Sequence, residues 1–299
     1  MADFKKYISS HAVSEITVGK RGARVYELDD SSVAKYVDRQ ALSDPGLWNA
    51  YEREARFYTE FGKSGYGFIP EVSHCHVSDD EIQLVMKKYS SLSRRDINGE
   101  LLDKVMQTLS CIHALPVSGF LAAEEDQSTD ILPEDISRCL SGWRSVLSEH
   151  EGKFSGEDLA LVSENIEVVN RRLRVPERCC CHGDYHFDNI LVDENGNIVV
   201  CDWQSVNMGH ASEDISFLLS RLAADGINVK PESVVNAYCR CAKAAVDGDV
   251  ILMQMKLANL NTSFLFWHEY LSDNPEERVR GIFDGMVNDM KYLLACCVE

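Results

Sequence analysis

"CHGDYHFDNILVDENGNIVVCDW", residues 181–203, sets Asp184, Asn189 and Asp202 at gaps of five and thirteen residues, with the apolar triplets ILV and IVV between the last two. Each triplet is β-branched or aliphatic, and "DENGN" between them carries turn-forming residues, so the stretch reads as a tight hairpin. A hairpin of that length returns Asp202 to the end where Asn189 sits, and a loop of five residues lets Asp184 face Asn189. Three oxygen-bearing side chains therefore converge. Turn chemistry accounts for Asp193, Glu194, Asn195 and Asn197. It does not account for "HGDYHFDN".

Two of the three oxygen donors suit Mg²⁺, which prefers hard oxygen ligands supplemented by water and phosphate. Asp184 is left to accept a proton from an attacking hydroxyl. A loop Asp, an Asn five residues on and a second Asp beyond a hairpin form a phosphoryl-transfer constellation.

Composition bounds what else is possible. The chain has 299 residues, enough for two packed lobes. The start, "MADFKKYISS", lacks the apolar core of a signal peptide, and no apolar run approaches a membrane span, so a cytoplasmic protein with no membrane partner is expected. Eleven cysteines include the adjacent runs "RCCCHGD" and "LLACCVE", which do not suit a disulfide framework. "HCH" at 74–76 stands alone and no C-x-x-C pair of zinc type occurs, so reduced, mostly buried thiols are expected. A redox or zinc protein built on the cysteines is a weaker reading.

The formal charge is −18, from 30 basic and 48 acidic residues, which argues against nucleic acid as a partner. Residues 1–60 are nearly neutral, whereas residues 121–170 carry twelve acidic and three basic residues, a net of −9. That stretch permits a cationic acceptor, although solvated helix faces explain most of it.

Along the chain, residues 16–40 alternate as three strands with breaks at Gly19 to Gly22 and at "DDSS". Residues 46–61 have helical spacing after Pro45, and two strands flank "SDD" near 78–80. Helical patterns fill 99–115, 133–174, 211–225 and 231–298. A strand-rich part, 1–88, followed by a helix-dominated part, 89–299, predicts an α+β chain of two lobes. "GKS" at 62–64 is not a P-loop, because Phe57 stands where its first Gly is needed. "NTS" at 261–263 is a glycosylation sequon only by coincidence.

"HGDYHFDNIL" followed by "CDWQ" resembles the catalytic loop and metal motif of the aminoglycoside phosphotransferase family, small-molecule kinases with a bilobal protein-kinase-like fold. "VAKYV", "EREARFYTEF", "LSCIHAL" and "GHASEDISFLLS" extend the resemblance over most of the chain. It implies a small β-rich N-lobe with one main helix and a larger, mostly helical C-lobe. It implies Asp184 as the base or hydroxyl-orienting carboxylate, Asn189 and Asp202 as Mg²⁺ ligands, and His182 and Asp214 as supports of the loop. Lys35 and Glu54 would position the phosphates, with Glu52 and Glu60 competing for the second role. The turn bearing Gly19 and Gly22 would cover the nucleotide, and backbone groups of Met86, Lys87 and Lys88 would meet the base of ATP or GTP.

The acceptor is the least determined part. His186 in the loop, and Trp267, Glu269 and Tyr270 on "NTSFLFWHEYL", are the candidate acceptor contacts; an aromatic wall suits a quaternary ammonium. His113 reads as a packed structural histidine. An aminoglycoside-type acceptor leads; a metabolic kinase for choline, an amino alcohol or a sugar is the alternative, and a non-catalytic nucleotide-binding protein the minority reading. "CDWQSVN" lacks the "DFEY" type of signature expected of choline kinases. The glycine loop, "VGKRGARVY", is short of a full G-x-G-x-x-G; "DWQ" replaces "DFG" and no "APE" segment follows, which argues against a regulated protein kinase. His210 and Ala211 stand where the family often has Asp and Pro. A monomer is expected.

Overall fold

The strand alternation seen in the first third of the chain folds into a five-stranded antiparallel sheet: β1 (Ala12–Ile16), β2 (Ala23–Leu28), β3 (Ser32–Asp38), β4 (Val72–Val77) and β5 (Glu81–Lys87), in the order β1-β2-β3-β5-β4. The computed structural model describes residues 4–16, 22–29, 31–97, 99–121, 131–173, 175, 177–242 and 246–297. Period-two alternation sends β3 in two directions. Ala34 and Tyr36 face a small cluster with Phe4 and Ile8 of α1 (Phe4–His11), while Val37 enters the main core. The register Lys35↔Leu84 and Val37↔Ile82 places β5's Leu84 and Ile82 on that same core face.

Helix α2 (Gly46–Phe61) crosses this face and buries Trp48, Tyr51, Glu54, Ala55, Phe57, Tyr58 and Phe61. Six of the seven are aromatic or aliphatic at helical spacing; Glu54 is the exception, and its burial needs a partner.

The remainder is mostly helical: α3 (Gly99–His113), α4 (Ser118–Leu121), α5 (Pro133–Ser148), α6 (Gly156–Arg172), α7 (Ala211–Ala224), α8 (Pro231–Cys241), α9 (Gly248–Phe266) and α10 (Glu276–Cys296). Its short strands are β6 (Ser90–Ser91), β7 (Cys179–Cys181), β8 (Ile190–Val192), β9 (Ile198–Val200) and β10 (Asn207–Gly209). They pair antiparallel as β6-β8-β9 and β7-β10. The opening stretch of sequence is thus β8 and β9 with the loops at both ends, in the register Ile190↔Val200 to Val192↔Ile198.

The fold is α+β and bilobal. One core runs from α2 and the sheet through α3, α7 and α8; a second is built from α5, α6, α9 and α10. Phe57 of α2 and Trp203 stack at 4.1 Å and 13°, joining the two lobes through aromatic faces. The expected single helical run over 231–298 is broken: α9 ends at Phe266, a 3₁₀ turn covers Trp267–Glu269, and Pro275 caps α10. Pro275 stands just before the first turn of α10, where its missing N–H costs no helix hydrogen bond.

Candidate active site

The loop between β7 and β8 is held from beneath by Asp214, 1 % exposed in the first turn of α7. Its carboxylate accepts the N–H of His182 at 2.8 Å, the N–H of Gly183 at 2.9 Å and His113 Nε2 at 3.2 Å. Burial alone would raise its pKa, but the hydrogen bond from His113 and the neighbouring donors outweigh it, and the group is held below its usual range. At Gly183, φ is +78° and an added Cβ would run into the Ser205 carbonyl, so a left-handed, side-chain-free residue is required.

His182 is fully buried, donates Nε2–H to the Cys201 carbonyl at 3.0 Å and accepts the Asp184 N–H at Nδ1, 3.3 Å. One ring nitrogen donating and one accepting define the neutral imidazole, and burial holds its pKa down. His182 therefore links the loop to the end of β9. Its ring also meets the edge of Trp203 at 4.7 Å.

Asp184 is half-buried. Asn189 Nδ2 donates to its carbonyl at 2.9 Å and to Oδ2 at 3.0 Å, while His186 Nε2 lies 3.5 Å from Oδ1. Burial opposes its charge, yet His186 and Asn189 prevail and its pKa lies below the ordinary value. Asn189 is 7 % exposed, and its carbonyl accepts the Cys201 N–H at 3.0 Å, which sets Asp202 beside it in the chain. Asp202 itself has φ +65° and ψ +59°, a strained geometry for a side-chain-bearing residue that turns its carboxylate toward Lys35.

Lys35 completes the cluster. Its Nζ reaches Glu54 Oε2 at 2.6 Å and Asp202 Oδ1 at 2.9 Å, and sits 5.0 Å from the Tyr51 ring centroid. Burial would depress its pKa, but the two carboxylates more than compensate and it is raised. Burial pushes Glu54 up to about 7 even against Lys35. Of the three glutamates on α2, Glu54 is the buried one; Glu52 is partly exposed and Glu60 exposed.

At the end of β5 the N–H of Lys87 donates to Glu71 O at 2.9 Å and that of Lys88 to Ser31 O at 3.0 Å. Both amides are thus spent on backbone carbonyls beside β4 and β3. Lys87 also reaches Glu194 of the β8–β9 turn at 3.0 Å. Gly22 has φ +95°, and an added Cβ would lie 2.5 Å from Leu42 Cδ2. Gly19, with Lys20 and Arg21, lies outside the described residues.

The acceptor candidates divide. His186 is built into the loop, its Nδ1 accepting the Asp188 N–H at 3.3 Å. Trp267, Glu269 and Tyr270 are not on a helix: the first two lie in the 3₁₀ turn and Tyr270 follows it, 67 % exposed. Trp267 packs on the second core, against which α5 holds the turn, and among the described residues no hydrogen bond, ion pair or ring contact joins the three to the loop of Asp184.

Sequence reasoning missed Asp188, which Arg94 meets at 2.8 Å and Arg221 at 3.5 Å, tying the outer side of the loop to α7. It also missed the company of His113: Tyr238 Oη at 2.8 Å from Nδ1, and Cys179 and Cys181 close by. The C-x-C spacing on β7 was the one available signal. His210 precedes α7, and its N–H donates to Glu213 Oε1 at 3.1 Å, so the unusual residue there still starts the helix.

A lysine on β3 paired to a helix carboxylate, a loop Asp–Asn pair and an Asp beyond a hairpin, on an α+β bilobal frame, define a kinase-like phosphotransferase. The phosphotransferase enzyme family matches residues 14–242, and the chain belongs to that family. The fold is similar to that of aminoglycoside phosphotransferase APH(2'')-Ib bound to ADP, at 16 % identity and a TM-score of 0.58 over 98 % of both chains. It is also similar to a point mutant of aminoglycoside 2'-phosphotransferase-IIIa in complex with GDP, at 12 % identity and 0.62 over 99 % of this chain and 97 % of that one. Choline kinase from Cryptosporidium parvum Iowa II matches at 10 % identity and 0.56, over 96 % and 91 %. No curated protein matches the chain.

Proposed function

We propose that this phosphotransferase moves the γ-phosphoryl group of ATP or GTP to a hydroxyl of a small cationic acceptor of aminoglycoside type, in the cytoplasm, and so acts as an antibiotic-resistance kinase. The observation that carries the reading is Lys35 Nζ, bonded at once to Glu54 and Asp202 across the two lobes. A buried ammonium fixed at both ends is a phosphate-neutralising charge held in one place. Likeness to nucleotide-bound structures supports the nucleotide, and the net charge of −18 supports a cationic acceptor.

The donor set fits Mg²⁺. Asn189 spends its amide N–H on Asp184, leaving Oδ1, and Asp202 offers a carboxylate; both are hard oxygen donors. When bound, Mg²⁺ supplies charge to the transferring phosphates. Asp184, kept ionised by His186 and Asn189, orients the acceptor hydroxyl and takes its proton. Asp214 and His182 hold the loop so that Asp184 stays aimed. Glu54 keeps Lys35 extended. Backbone groups of Met86 to Lys88 meet the base. Positioning and charge do the catalysis, because phosphoryl transfer asks for little covalent help.

The test is a coupled assay with Mg-ATP and Mg-GTP over aminoglycosides, choline, amino alcohols and sugars. Asp184→Ala should lose roughly 10²–10⁴-fold in turnover while nucleotide binding is kept. An unchanged rate in that variant would sink the assignment of Asp184. Turnover confined to choline, a sugar or an amino alcohol would move the protein to a metabolic role on the same site.

A further inference from the structure

Cys179 and Cys181 lie two residues apart on β7, so both side chains leave the same face of the strand. Their Sγ atoms are 3.9 Å apart. His113, at the end of α3, brings its ring to the same place, and one ligand atom from each of the three residues lies within 4.8 Å of the others. Two thiolates on one tetrahedral zinc, each at about 2.3 Å, are separated by about 3.8 Å. The observed sulfur separation is that edge.

The histidine is prepared for the same task. A carboxylate in this environment only accepts, so the 3.2 Å contact from His113 Nε2 to Asp214 Oδ2 puts the ring proton on Nε2. In the neutral ring Nδ1 then holds the lone pair, with the Tyr238 hydroxyl 2.8 Å away. A ligating histidine whose other N–H rests on a carboxylate is the arrangement that orients metal ligands. Cys181 and His113 are buried, whereas Cys179 is partly exposed and gives an ion a way in. Cys180, on the opposite face of β7, joins the hydrophobic core instead.

We propose that Cys179, Cys181 and His113 form a zinc(II) site through two Sγ atoms and Nδ1, with Asp214 orienting the imidazole and water in the fourth position. Sulfur with imidazole suits Zn²⁺ rather than the oxygen-seeking Mg²⁺ of the phosphotransfer site. Binding releases the two thiol protons to solvent, and the Tyr238 hydroxyl gives up Nδ1. Asp214 also accepts the N–H groups of His182 and Gly183, so an ion that fixes His113 fixes the anchor of the catalytic loop.

The experiment titrates reduced, metal-free full-length protein with Co²⁺ as a spectroscopic probe and then displaces it with Zn²⁺. One equivalent of Co²⁺ should give a near-ultraviolet thiolate charge-transfer band and tetrahedral visible bands. Both should vanish in Cys179→Ser/Cys181→Ser and persist in Cys296→Ser/Cys297→Ser. At hundredfold excess over its Kd, Zn²⁺ should raise the Tm of the wild type by on the order of 3–6 °C and leave the first double variant unchanged. Should that double variant fold poorly without metal, Cys179→Ser alone, at the partly exposed position, must weaken Zn²⁺ at least tenfold. No thiolate band in the wild type, a band surviving loss of Cys179 and Cys181, or a band lost with Cys296 and Cys297 overturns the site.

Discussion

Glu54 is 1 % exposed, and burial pushes its carboxyl up to about 7, so Lys35 is what keeps it charged near neutrality. Replacing Lys35 by Met strands that charge, and breaking a buried pair in this way costs about 3–5 kcal/mol. Adding Glu54→Gln should restore most of the lost stability in urea unfolding without restoring turnover, since the ammonium proposed to neutralise the phosphates stays absent. The sign of the pH dependence follows from the same pair. Glu54 has a folded pKa above its ordinary 4.5, so its charged form destabilises the fold increasingly as pH rises from about 4.5 through about 7. Lys35, raised above 10.5, holds its stabilising contribution below that pH and loses it only above. The stability deficit of Lys35→Met should therefore be larger at pH 8 than at pH 5, where Glu54 is protonated; equal deficits would overturn the argument. Lys35 and Asp202 could be picked from sequence because each stands in a motif of fixed local spacing. Glu54 was best placed by the resemblance, but Glu52 and Glu60 competed with it until α2 had a buried face. Arg94 and Arg221 around Asp188 carried no local signal at all, their meeting being set by packing between elements 94 and 33 residues away.

Two glycines of the central stretch share φ +78° yet stand in different surroundings, which separates conformational cost from steric cost. At Gly196, in the β8–β9 turn, an added Cβ meets nothing within 4 Å, so Gly196→Ala should cost only the left-handed penalty of about 1–2 kcal/mol. At Gly183 the same substitution also drives a methyl group into the Ser205 carbonyl and pushes the loop off Asp214. Gly183→Ala should destabilise more, and its turnover should fall roughly 10²-fold, the scale of misplacing a catalytic group, if Asp184 has the role proposed for it. Equal effects of the two substitutions in thermal melts and assays would show that the loop is not braced there. Elements with a strong period were legible in the sequence: β2, β3, α2, α3 and the β8–β9 hairpin. Helix α1 was not, since "FKKYISSH" offers only Phe4 and Ile8 for burial. Strands β7 and β10 have three residues each, too few to show a period, and exist because they pair with each other. The C-terminal helices merged into one pattern because the apolar spacing of α8, α9 and α10 differs little across the breaks.

At the scale of the whole chain the charge of −18 is a field more than a set of contacts. Of the acidic residues in 121–170, Asp135 pairs with Arg138, Asp158 with Lys291 and Glu167 with Arg171, while Glu149 accepts from Ser272 and the Asp273 N–H. These carboxylates serve helix faces and their joints, as the bland reading of that stretch expected, and none is thereby assigned to an acceptor. The lobes are joined by the Lys35–Asp202 pair, by Arg53 donating to the Gln204 carbonyl at 3.1 Å, by the Phe57–Trp203 stack and by Lys87–Glu194. A cationic acceptor approaching such a molecule is drawn by the summed potential before it touches any one residue. The Debye length falls from about 30 Å at 0.01 M salt to about 3 Å at 1 M. Over that range kcat/KM for a polycationic aminoglycoside should drop roughly tenfold or more through KM, while kcat, if set by the proposed cluster of Lys35, Asp184 and Asp202, should change little. A neutral sugar assayed in parallel should show a flat profile. If both acceptors give the same slope, the acidic surface has no part in recruiting substrate, and the choice of an aminoglycoside over an uncharged acceptor loses its electrostatic support.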